Sequence, residues 1–531
     1  MAMNDNIDNK RRSLLKTGTA LGAAALSGVS LIAQGADAGN RQKAKVASAD
    51  LPLPEYDNLD VVAMAESLKK GELTPIELFD AAYARFESRS AINVVAVEHF
   101  EQAREHALTL SKAGNKERAD SNAPLRGVPF ALKDLHIKVK GTVTTNGSPL
   151  FKDSVATNNS TLTQRYMDAG LNIMAKLTSP EFGQTATTES ALHGDTLNPW
   201  DLARTSGGSS GGSAATVAAR ILPAAHASDG GGSIRIPASN CGVFGLKPSR
   251  GRVPMGPGAI EGWMGLSVHN TVTRSVRDSA LLLDLTQGKE AGSRITHQDQ
   301  SLMAAIKKAP KGLKIAVMNN HPFGLPIHPD CIKAVNKTAK LLAALGHHVE
   351  EAQPILPIEG MFKGMGVATT SGLLYTIQEQ EKLLGRKARE EEFSPIVWRH
   401  LQNAPNYTAQ NVFSARSAFD DGAKAFDHFF SDYHLILSPV TAVPPPKIGA
   451  LSLNQPYDDF VQDIMYASPI TALFNMTGLP AMSVPLHWND DGLPIGVQFA
   501  GPYGGEPLLL SLAAQLEQAS PWADKLPGFI S

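Results

Sequence analysis

The chain has 531 residues, of which 49 are basic and 51 are acidic, so its formal net charge at pH 7 is −2. This near balance gives no electrostatic reason to expect nucleic acid as a partner. With 43% hydrophobic residues the chain can bury a large core, and its length alone would allow about three domains.

The N-terminal segment reads N-K-R-R-S-L-L-K at residues 9–16, and an apolar run of small residues follows it. This pattern resembles a twin-arginine (Tat) export signal, with A-D-A placed for cleavage after Ala38. The alternative is a retained membrane anchor, but the run at 17–33 is short and weakly hydrophobic for a span. We therefore expect a Tat signal peptide at 1–38 and export by the Tat machinery. After cleavage we expect no stable membrane insertion and a periplasmic or secreted protein.

Helix and strand patterns alternate along the remaining chain. A capping box with proline at the first helical position, T-P-I-E at 74–77, predicts a helix toward Phe86. A second helix is predicted at residues 100–111. Short apolar runs predict strands at residues 92–97, 128–132, 172–177, 314–318, 434–437, 481–486 and 495–499. Such alternation predicts an α/β fold, with a central mixed β-sheet flanked by helices in α/β/α layers.

Two serines in glycine-rich turns follow a lysine at the end of an apolar run. Lys133 ends G-V-P-F-A-L-K, Ser209 lies in S-G-G-S-S-G-G-S, and Ser233 lies in S-D-G-G-G-S-I-R-I-P. Glycines let successive backbone N–H groups point toward one place. A serine among such groups has the layout for acyl transfer, because a nucleophile then stands beside an oxyanion site. A flexible linker is disfavoured, since the helical run S-A-A-T-V-A-A-R-I-L follows, and no lysine follows the glycines as a phosphate-binding loop requires.

These motifs resemble the amidase signature family. C-G-V-F-G-L-K at 241–247, N-P-W-D at 198–201 and G-L-P-A-M-S-V-P at 478–485 extend the resemblance, which runs from about residue 73 to 502. The stretch A-A-H-A-S-D-G-G-G-S-I-R-I-P, with S-R-G-R at 249–252, looks most like the branch that contains 6-aminohexanoate cyclic dimer hydrolases. The resemblance implies the same layered α/β/α fold, and a hydrolase that cleaves the C–N bond of a small linear or cyclic carboxamide.

The resemblance also implies the roles of individual residues. It assigns Ser233 as the nucleophile, Ser209 as the bridging serine of a Ser–cis-Ser–Lys triad, and Lys133 as the base. The peptide bond between Gly208 and Ser209 is then expected to be cis. The oxyanion hole would be formed by the backbone N–H groups of Gly230, Gly231, Gly232 and Ser233. A lysine, whose free pKa is roughly 10.4, can act as a base only where burial favours its neutral form.

Three further residues are expected to support the site without taking part in the chemistry. Asp229 is placed to accept hydrogen bonds from the glycine loop, Arg235 to pair with an acid or carbonyl behind it, and Ser210 to brace the first serine. No cofactor is expected, and no metal, since H-H-V-E-E at 347–351 lacks the H-E-x-x-H order. The substrate pocket is expected near residues 144–148, 182–188 and 465–474.

Two other functions fit parts of the sequence. G-G-S-S-G at 207–211 satisfies the nucleophile elbow of α/β-hydrolase esterases, which would make Ser209 the nucleophile with His434 or His487 downstream. The preceding N-P-W-D-L-A-R-T-S is not the core strand that an elbow needs, so this hypothesis ranks lower. The second alternative function is that of a non-catalytic, amidotransferase-like subunit. The export signal disfavours it, because the partners of such a subunit stay in the cytoplasm.

The dispersed motifs favour one amidase domain over residues 39–531. Its signature core would cover about 73–290 and 430–505. The segment at about 353–411 shows little resemblance and contains helix-like charged stretches such as residues 387–392. It is either a solvated surface or a substrate-side insertion over the pocket. Cys241 and Cys331 could be bridged or free, and the protein could be a monomer or a homodimer that takes a small-molecule amide.

Overall fold

The computed structural model describes residues 51–112, 122–293, 295 and 300–530. The Tat signal and cleavage site expected at residues 1–38 lie outside these ranges. Within these ranges, no helix has both the length and the apolarity that crossing a membrane requires.

The strands are short, as the apolar runs predict. They are β1 Val95–Glu98, β2 Pro129–Lys133, β3 Asn172–Leu177, β4 Glu189–Ser190, β5 Gly194–Asp195, β6 Leu197–Asn198, β7 Asp201–Thr205, β8 Ala224–Asp229, β9 Phe244–Lys247, β10 Val268–Thr273, β11 Lys314–Val317, β12 His348–Glu351, β13 Leu435–Pro439, β14 Ala481–Trp488 and β15 Pro494–Ala500.

The α-helices alternate with these strands over most of the chain. They are α1 Val61–Lys70, α2 Pro75–Ser88, α3 Phe100–Ser111, α4 Thr161–Asp168, α5 Gly211–Ala218, α6 Arg235–Cys241, α7 Val276–Thr286, α8 Leu302–Ala305, α9 Pro329–Ala344, α10 Ile358–Leu384, α11 Pro395–Asn403, α12 Ala409–Phe429, α13 Tyr457–Ala467, α14 Pro469–Met476 and α15 Glu506–Ala519.

Local sequence explains where several elements begin and end. The capping box predicted before α2 forms, with Thr74 accepting from the N–H of Glu77 and Glu77 accepting from the N–H of Thr74. The strand predicted at 92–97 begins only at Val95, because a 3₁₀ turn occupies Ser90–Ile92 and Asn93 adopts a left-handed φ of 53°. An apolar run thus locates a strand but does not fix its first residue.

The strands form an eight-stranded mixed sheet and a separate three-stranded sheet. The larger sheet has the order β12-β11-β13-β15-β14-β9-β10-β8, and the smaller has the order β1-β3-β2. The edge strands β8 and β2 lie side by side, yet in the described part of the chain no backbone ladder joins them. This junction carries Lys133 at the end of β2 and Asp229 at the end of β8.

Helices pack on the sheets through their apolar faces. α6 and α9 pack on β15, α7 packs on β10, and α5 packs on β8. One continuous core cluster includes Phe130 of β2 and Val484 of β14, so the two sheets share a core. The predicted α/β architecture, a mixed central sheet flanked by helices, is therefore confirmed.

The segment at 353–411 contains helices α10 and α11 and the first residues of α12. The charged stretch at 387–392, which looked helix-like in the sequence, is instead a turn with a 3₁₀ segment at Glu390–Glu392. Gly385 ends α10 with a φ of 66°, and Arg386 pairs with Glu392 at 2.6 Å. The charges therefore close a turn rather than cover a helix face.

Candidate active site

The junction of the two sheets brings several predicted residues together. Lys133 ends β2, and Ser209 lies in the loop between β7 and α5. Ser233 lies in the loop that leaves β8 and enters α6. The structure joins Lys133 directly to Ser209, with 2.6 Å between Nζ and Oγ.

The side chain of Lys133 is fully buried. Its Nζ contacts Ser209 Oγ at 2.6 Å and Ser228 Oγ at 3.1 Å. Burial lowers the pKa of Lys133 well below its ordinary value, while the Asp229 carboxylate opposes this shift. A neutral amine has one lone pair and can accept a proton, whereas an ammonium group can only donate. The environment of Lys133 therefore favours the form that can act as a base.

Ser228 was not among the predicted site residues. Its hydroxyl accepts a hydrogen bond from Lys133 Nζ. Its backbone is held by Ser210, because Ser210 Oγ donates to the Ser228 carbonyl at 3.1 Å and accepts from the Ser228 N–H at 3.3 Å. The signal in the sequence was the hydroxyl residue directly before Asp229. By occupying a donor of Lys133, Ser228 leaves the amine lone pair for Ser209.

The loop that carries Ser209 is tightly packed. The bond Gly208–Ser209 is cis, as the resemblance implied. A Cβ on Gly208 would lie 2.2 Å from the carbonyl oxygen of Thr187, so only glycine fits there. Thr188 Oγ1 accepts from the N–H of Gly211 at 3.0 Å and so fixes the start of α5. These contacts hold Ser209 in one orientation.

Ser233 is partly exposed, which is compatible with its predicted role as a nucleophile. The N–H groups of Gly231 and Ser233 donate to no acceptor among the described residues. Gly232 differs, because its N–H donates to Asp229 Oδ1 at 2.7 Å. The N–H of Gly232 is therefore engaged within the loop, whereas the oxyanion role predicted for Gly230, Gly231, Gly232 and Ser233 stays a prediction.

Asp229 and Arg235 form a buried ion pair behind this loop. Asp229 also accepts from the N–H of Ile234 at 3.1 Å, and Arg235 Nη2 lies 2.9 Å from Asp229 Oδ1. Arg235 further donates to the carbonyl of Thr471 at 2.9 Å. Burial alone would raise the pKa of Asp229, but the Arg235 guanidinium outweighs it and holds that pKa at about 2.

Asn475 completes this network and was missed by the sequence reasoning. Its Nδ2 donates to Asp229 Oδ1 at 2.8 Å and to the Leu266 carbonyl at 3.1 Å, while its Oδ1 accepts from Arg235 at 2.6 Å. Asn475 lies 246 positions from Asp229. No local pattern around it pointed to this role.

Residues from two of the three predicted pocket segments, 182–188 and 465–474, lie against the serine loops. A Cβ on Gly183 would lie 3.0 Å from Ser209 Oγ, and Thr471 Oγ1 donates to the Gly231 carbonyl at 2.7 Å. Ser148 donates to the buried carboxylate of Glu181 at 2.7 Å. Glu181 also accepts from the N–H of Ser394 at 2.8 Å. This carboxylate ties the wall of the site to the segment at 353–411.

Helix α10 lies over the glycine loop. The Met365 Cε is 2.8 Å from the position that a Cβ on Gly231 would take. Trp263 lies over Gly230, and its Cζ3 is 2.8 Å from the position that a Cβ on Gly230 would take. Trp263 also contacts α10, because its Cδ1 is 2.7 Å from the corresponding Cβ position of Gly372. Of the two interpretations of this segment, these contacts favour the substrate-side one.

The environment of Ser209 does not match a nucleophile elbow. The preceding strand β7 forms a two-stranded ribbon with β6 and a single bridge from Arg204 to Lys447, lies outside the two main sheets, and has only Thr205 buried. The two candidate histidines are engaged elsewhere, since His434 Nδ1 accepts from the N–H of Lys314 and His487 Nε2 contacts Thr338 Oγ1. The esterase hypothesis therefore lacks both its strand and its base.

The two cysteines are buried and are not bridged. Burial raises the pKa of both thiols, that of Cys331 to about 12. They are packing residues, because a thiol with a raised pKa is a poor nucleophile.

In the ranges that the structure describes, no group of three or more His, Cys, Asp or Glu residues is arranged to hold a metal ion.

A surface cavity of about 470 Å³ is lined in part by Arg204, Tyr466 and the prolines at 444–446. Lys133 and the two predicted catalytic serines do not line it. Asp463, which lines it, has a pKa raised by burial and by the nearby Asp459. No serine, cysteine or lysine nucleophile is among the lining residues, so this cavity is a weak site candidate. Hydrogen-bond geometry, not cavity size, therefore locates the site.

Comparisons with known proteins identify the family of this chain. A family model described as Amidase matches residues 77–510. The 6-aminohexanoate-cyclic-dimer hydrolase of Paenarthrobacter ureafaciens is 34% identical over 488 residues, which cover 89% of this chain and 97% of that protein. The acylamidase of Rhodococcus erythropolis is 32% identical over 484 residues, which cover 88% of this chain and 97% of that protein.

A solved structure supports the same relationship. The structure of 6-aminohexanoate cyclic dimer hydrolase complexed with substrate matches with a TM-score of 0.81 at 32% identity, and covers 89% of this chain and 99% of that one. Because the family model spans most of the chain and full-length relatives exceed 30% identity, the chain belongs to the amidase signature family of C–N hydrolases.

Proposed function

We propose that this protein hydrolyses a small carboxamide through Ser233, with Ser209 and Lys133 as its proton relay. The observation that carries the proposal is the contact of 2.6 Å between a fully buried lysine and Ser209 Oγ. A hydroxyl is a weak nucleophile until a base removes its proton. The buried amine of Lys133, whose pKa is lowered well below its ordinary value, supplies that base.

In the acylation step, Ser233 Oγ attacks the amide carbon while its proton passes to Ser209 Oγ. Ser209 in turn gives its own proton to the lone pair of Lys133 Nζ. The carbonyl oxygen gains negative charge, which N–H groups of the glycine loop stabilise. Those of Gly231 and Ser233 donate to no acceptor within the described ranges. The C–N bond then breaks as the proton returns through Ser209 to the leaving nitrogen.

In the deacylation step, water attacks the ester that links the acyl group to Ser233. The relay takes the proton from this water and returns it to Ser233 Oγ, which leaves as a hydroxyl group. The products are a carboxylic acid and an amine, or ammonia from a primary amide. Asp229 and Arg235 hold the glycine loop during both steps and exchange no proton with the substrate.

The substrate class that we favour is a cyclic amide, which opens to an amino acid chain without releasing ammonia. The support is the likeness to a protein named 6-aminohexanoate-cyclic-dimer hydrolase over 89% of the chain. Trp263 and Met365 add apolar surface over the glycine loop, which suits the methylene groups of such a ring.

The test offers primary, aryl and cyclic amides to the purified chain and to Ser233→Ala, and follows ammonia and new amines separately. Ring opening without ammonia, lost in the variant, is the expected result. Ammonia release that depends on Ser233 would replace the cyclic-amide proposal by a primary amidase. Turnover that survives in Ser233→Ala would overturn the mechanism itself.

An amidotransferase-like subunit is the second candidate that the family allows. Such a subunit depends on partners, so the same assay on the isolated chain separates the two. Activity of the purified chain alone supports an independent amidase. Activity that appears only after a cell extract is added would favour the subunit.

We further propose that the protein acts outside the cytoplasm. The support is the twin-arginine pattern at 9–16 with the apolar run after it. Cell fractionation of the full chain, beside a variant with Arg11→Lys and Arg12→Lys, tests this. Activity in the periplasm or medium, shifted to the cytoplasm in the variant, is expected, and cytoplasmic activity in both would contradict the proposal.

A further inference from the structure

The backbone N–H of Lys133 is held by a side chain instead of a neighbouring strand. β2 and β8 lie side by side without a backbone ladder in the described part of the chain. The N–H of Lys133 donates to Nδ1 of His226 on β8 at 3.2 Å. A buried N–H needs an acceptor. His226 therefore supplies the one that the missing ladder would have provided.

This contact fixes the positions of two protons. A backbone N–H can only donate, so His226 Nδ1 carries no proton and the neutral ring is protonated at Nε2. That Nε2 lies 3.0 Å from Nδ1 of His269. His269 Nδ1 must accept, so the proton of His269 is also on Nε2. The two rings are nearly parallel, 28° apart, with centroids separated by 5.1 Å.

The surroundings keep both rings neutral. The groups that face them are Lys133, His136 and Tyr166, and no carboxylate of the described residues interacts with either ring. Burial lowers the pKa of His226 well below its ordinary value, and burial with His136 and Lys133 lowers that of His269 to about 3. If His226 became an imidazolium, its Nδ1 would carry a proton and could no longer accept from the backbone N–H of Lys133.

We propose that the His226–His269 pair is a positioning device that holds Lys133 at the junction of the two sheets. The inference rests on the proposed role of Lys133 as the base. Lys133 Nζ must stay within reach of Ser209 and of Ser228, and Ser228 lies on the same strand as His226. Fixing the lysine backbone to β8 fixes that distance. A displacement of about 1 Å between catalytic groups can lower turnover by roughly 100-fold.

Three variants separate positioning from general stability. His226→Leu removes the acceptor, whereas His226→Asn keeps an amide oxygen near the position of Nδ1. His347→Leu is the matched control, because His347 Nδ1 also accepts a buried backbone N–H, that of Leu313 at 3.1 Å, beside the opposite edge of the large sheet.

We expect His226→Leu to lower kcat by about 10- to 100-fold with KM changed by less than about threefold. His226→Asn should recover most of kcat, and His347→Leu should keep it within about twofold. Wild-type kcat in His226→Leu, while turnover still requires Lys133, would overturn the positioning proposal alone. Full turnover in Lys133→Met would instead overturn the proposed function.

A second measurement reads the proton positions in the wild-type enzyme and uses a variant only to assign the signal. Long-range ¹H–¹⁵N spectra of histidine-labelled protein report which ring nitrogen carries the proton. His226, assigned by its loss in His226→Asn, should be a neutral Nε2–H tautomer at pH 7 and stay so down to about pH 5, below the ordinary histidine pKa. An imidazolium or an Nδ1–H tautomer would overturn the proposal.

Discussion

Lys133 Nζ and Ser209 Oγ lie 2.6 Å apart although 76 positions separate the two residues in the chain. The lysine ends an edge strand of the small sheet, and the serine lies in a loop before α5. Neither residue is reactive by itself, because one is ordinarily charged and the other ordinarily holds its proton. Their contact in a buried setting gives each the partner that its proposed role requires.

Ser233→Ala should abolish turnover, with kcat lowered by about 10⁴-fold or more, because it removes the nucleophile of a relay that acts as a unit. Its thermal unfolding should match that of the wild type, since the Ser233 side chain is partly exposed. A serine-directed phosphonate followed by peptide mass analysis should label Ser233. Label on Ser209 instead would favour the elbow hypothesis.

Lys133→Met should lower kcat by about 10²- to 10⁴-fold, the contribution expected of a general base. In the wild type, kcat/KM should fall as the pH drops through the lowered pKa of Lys133, because protonation removes the lone pair. The variant should lose this acidic limb of the pH profile. An unchanged limb would show that another group titrates there.

The same substitution should stabilise the fold. The pKa of Lys133 is lower in the folded than in the unfolded chain, so the wild type loses stability as the pH falls below about 10.4 toward the folded value. Lys133→Met removes this penalty and should gain about 0.5–2 kcal/mol at pH 7. Urea unfolding should show the gain shrinking as the pH approaches about 10.

Gly183→Ala should impair catalysis beyond its effect on stability. The added Cβ would lie 3.0 Å from Ser209 Oγ, at a φ of +67°. Gly385→Ala is the matched control, since its φ is +66° and nothing lies within 4 Å of its Cβ position. Both variants should lose about 1 kcal/mol to backbone strain. Only Gly183→Ala should lower kcat, and equal kcat values would refute the contact with Ser209.

Asp229→Asn should cost about 3–5 kcal/mol of stability, because it leaves Arg235 buried without its counter-charge. The pKa of Asp229 is depressed to about 2 in the fold. Its contribution is therefore fully present above the unfolded value of about 3.9 and is lost as the pH falls through about 2. Urea unfolding at pH 7 and at pH 3 should show a smaller difference from the wild type at pH 3. A loss below 1 kcal/mol at pH 7 would contradict this account.

The local sequence was enough for elements whose signals are local. The capping box at Thr74 predicted the start of α2, and the apolar run before Lys133 predicted β2, in which the lysine is buried. Failures occurred where local pattern and tertiary context disagree. The charges at 387–392 looked helical, but an ion pair between Arg386 and Glu392 closes a turn there.

By itself, the sequence determined the family, the layered α/β fold and the glycine-rich loops, because these depend on residue types at fixed spacings. Tertiary structure alone decided which groups meet across the break between the two sheets. Ser228 contacts Lys133, and Asn475 and Gly232 both donate to Asp229, through contacts that no spacing encodes. The physical reason is that hydrogen-bond partners are chosen by proximity after packing, so residues more than 200 positions apart can compete for one carboxylate.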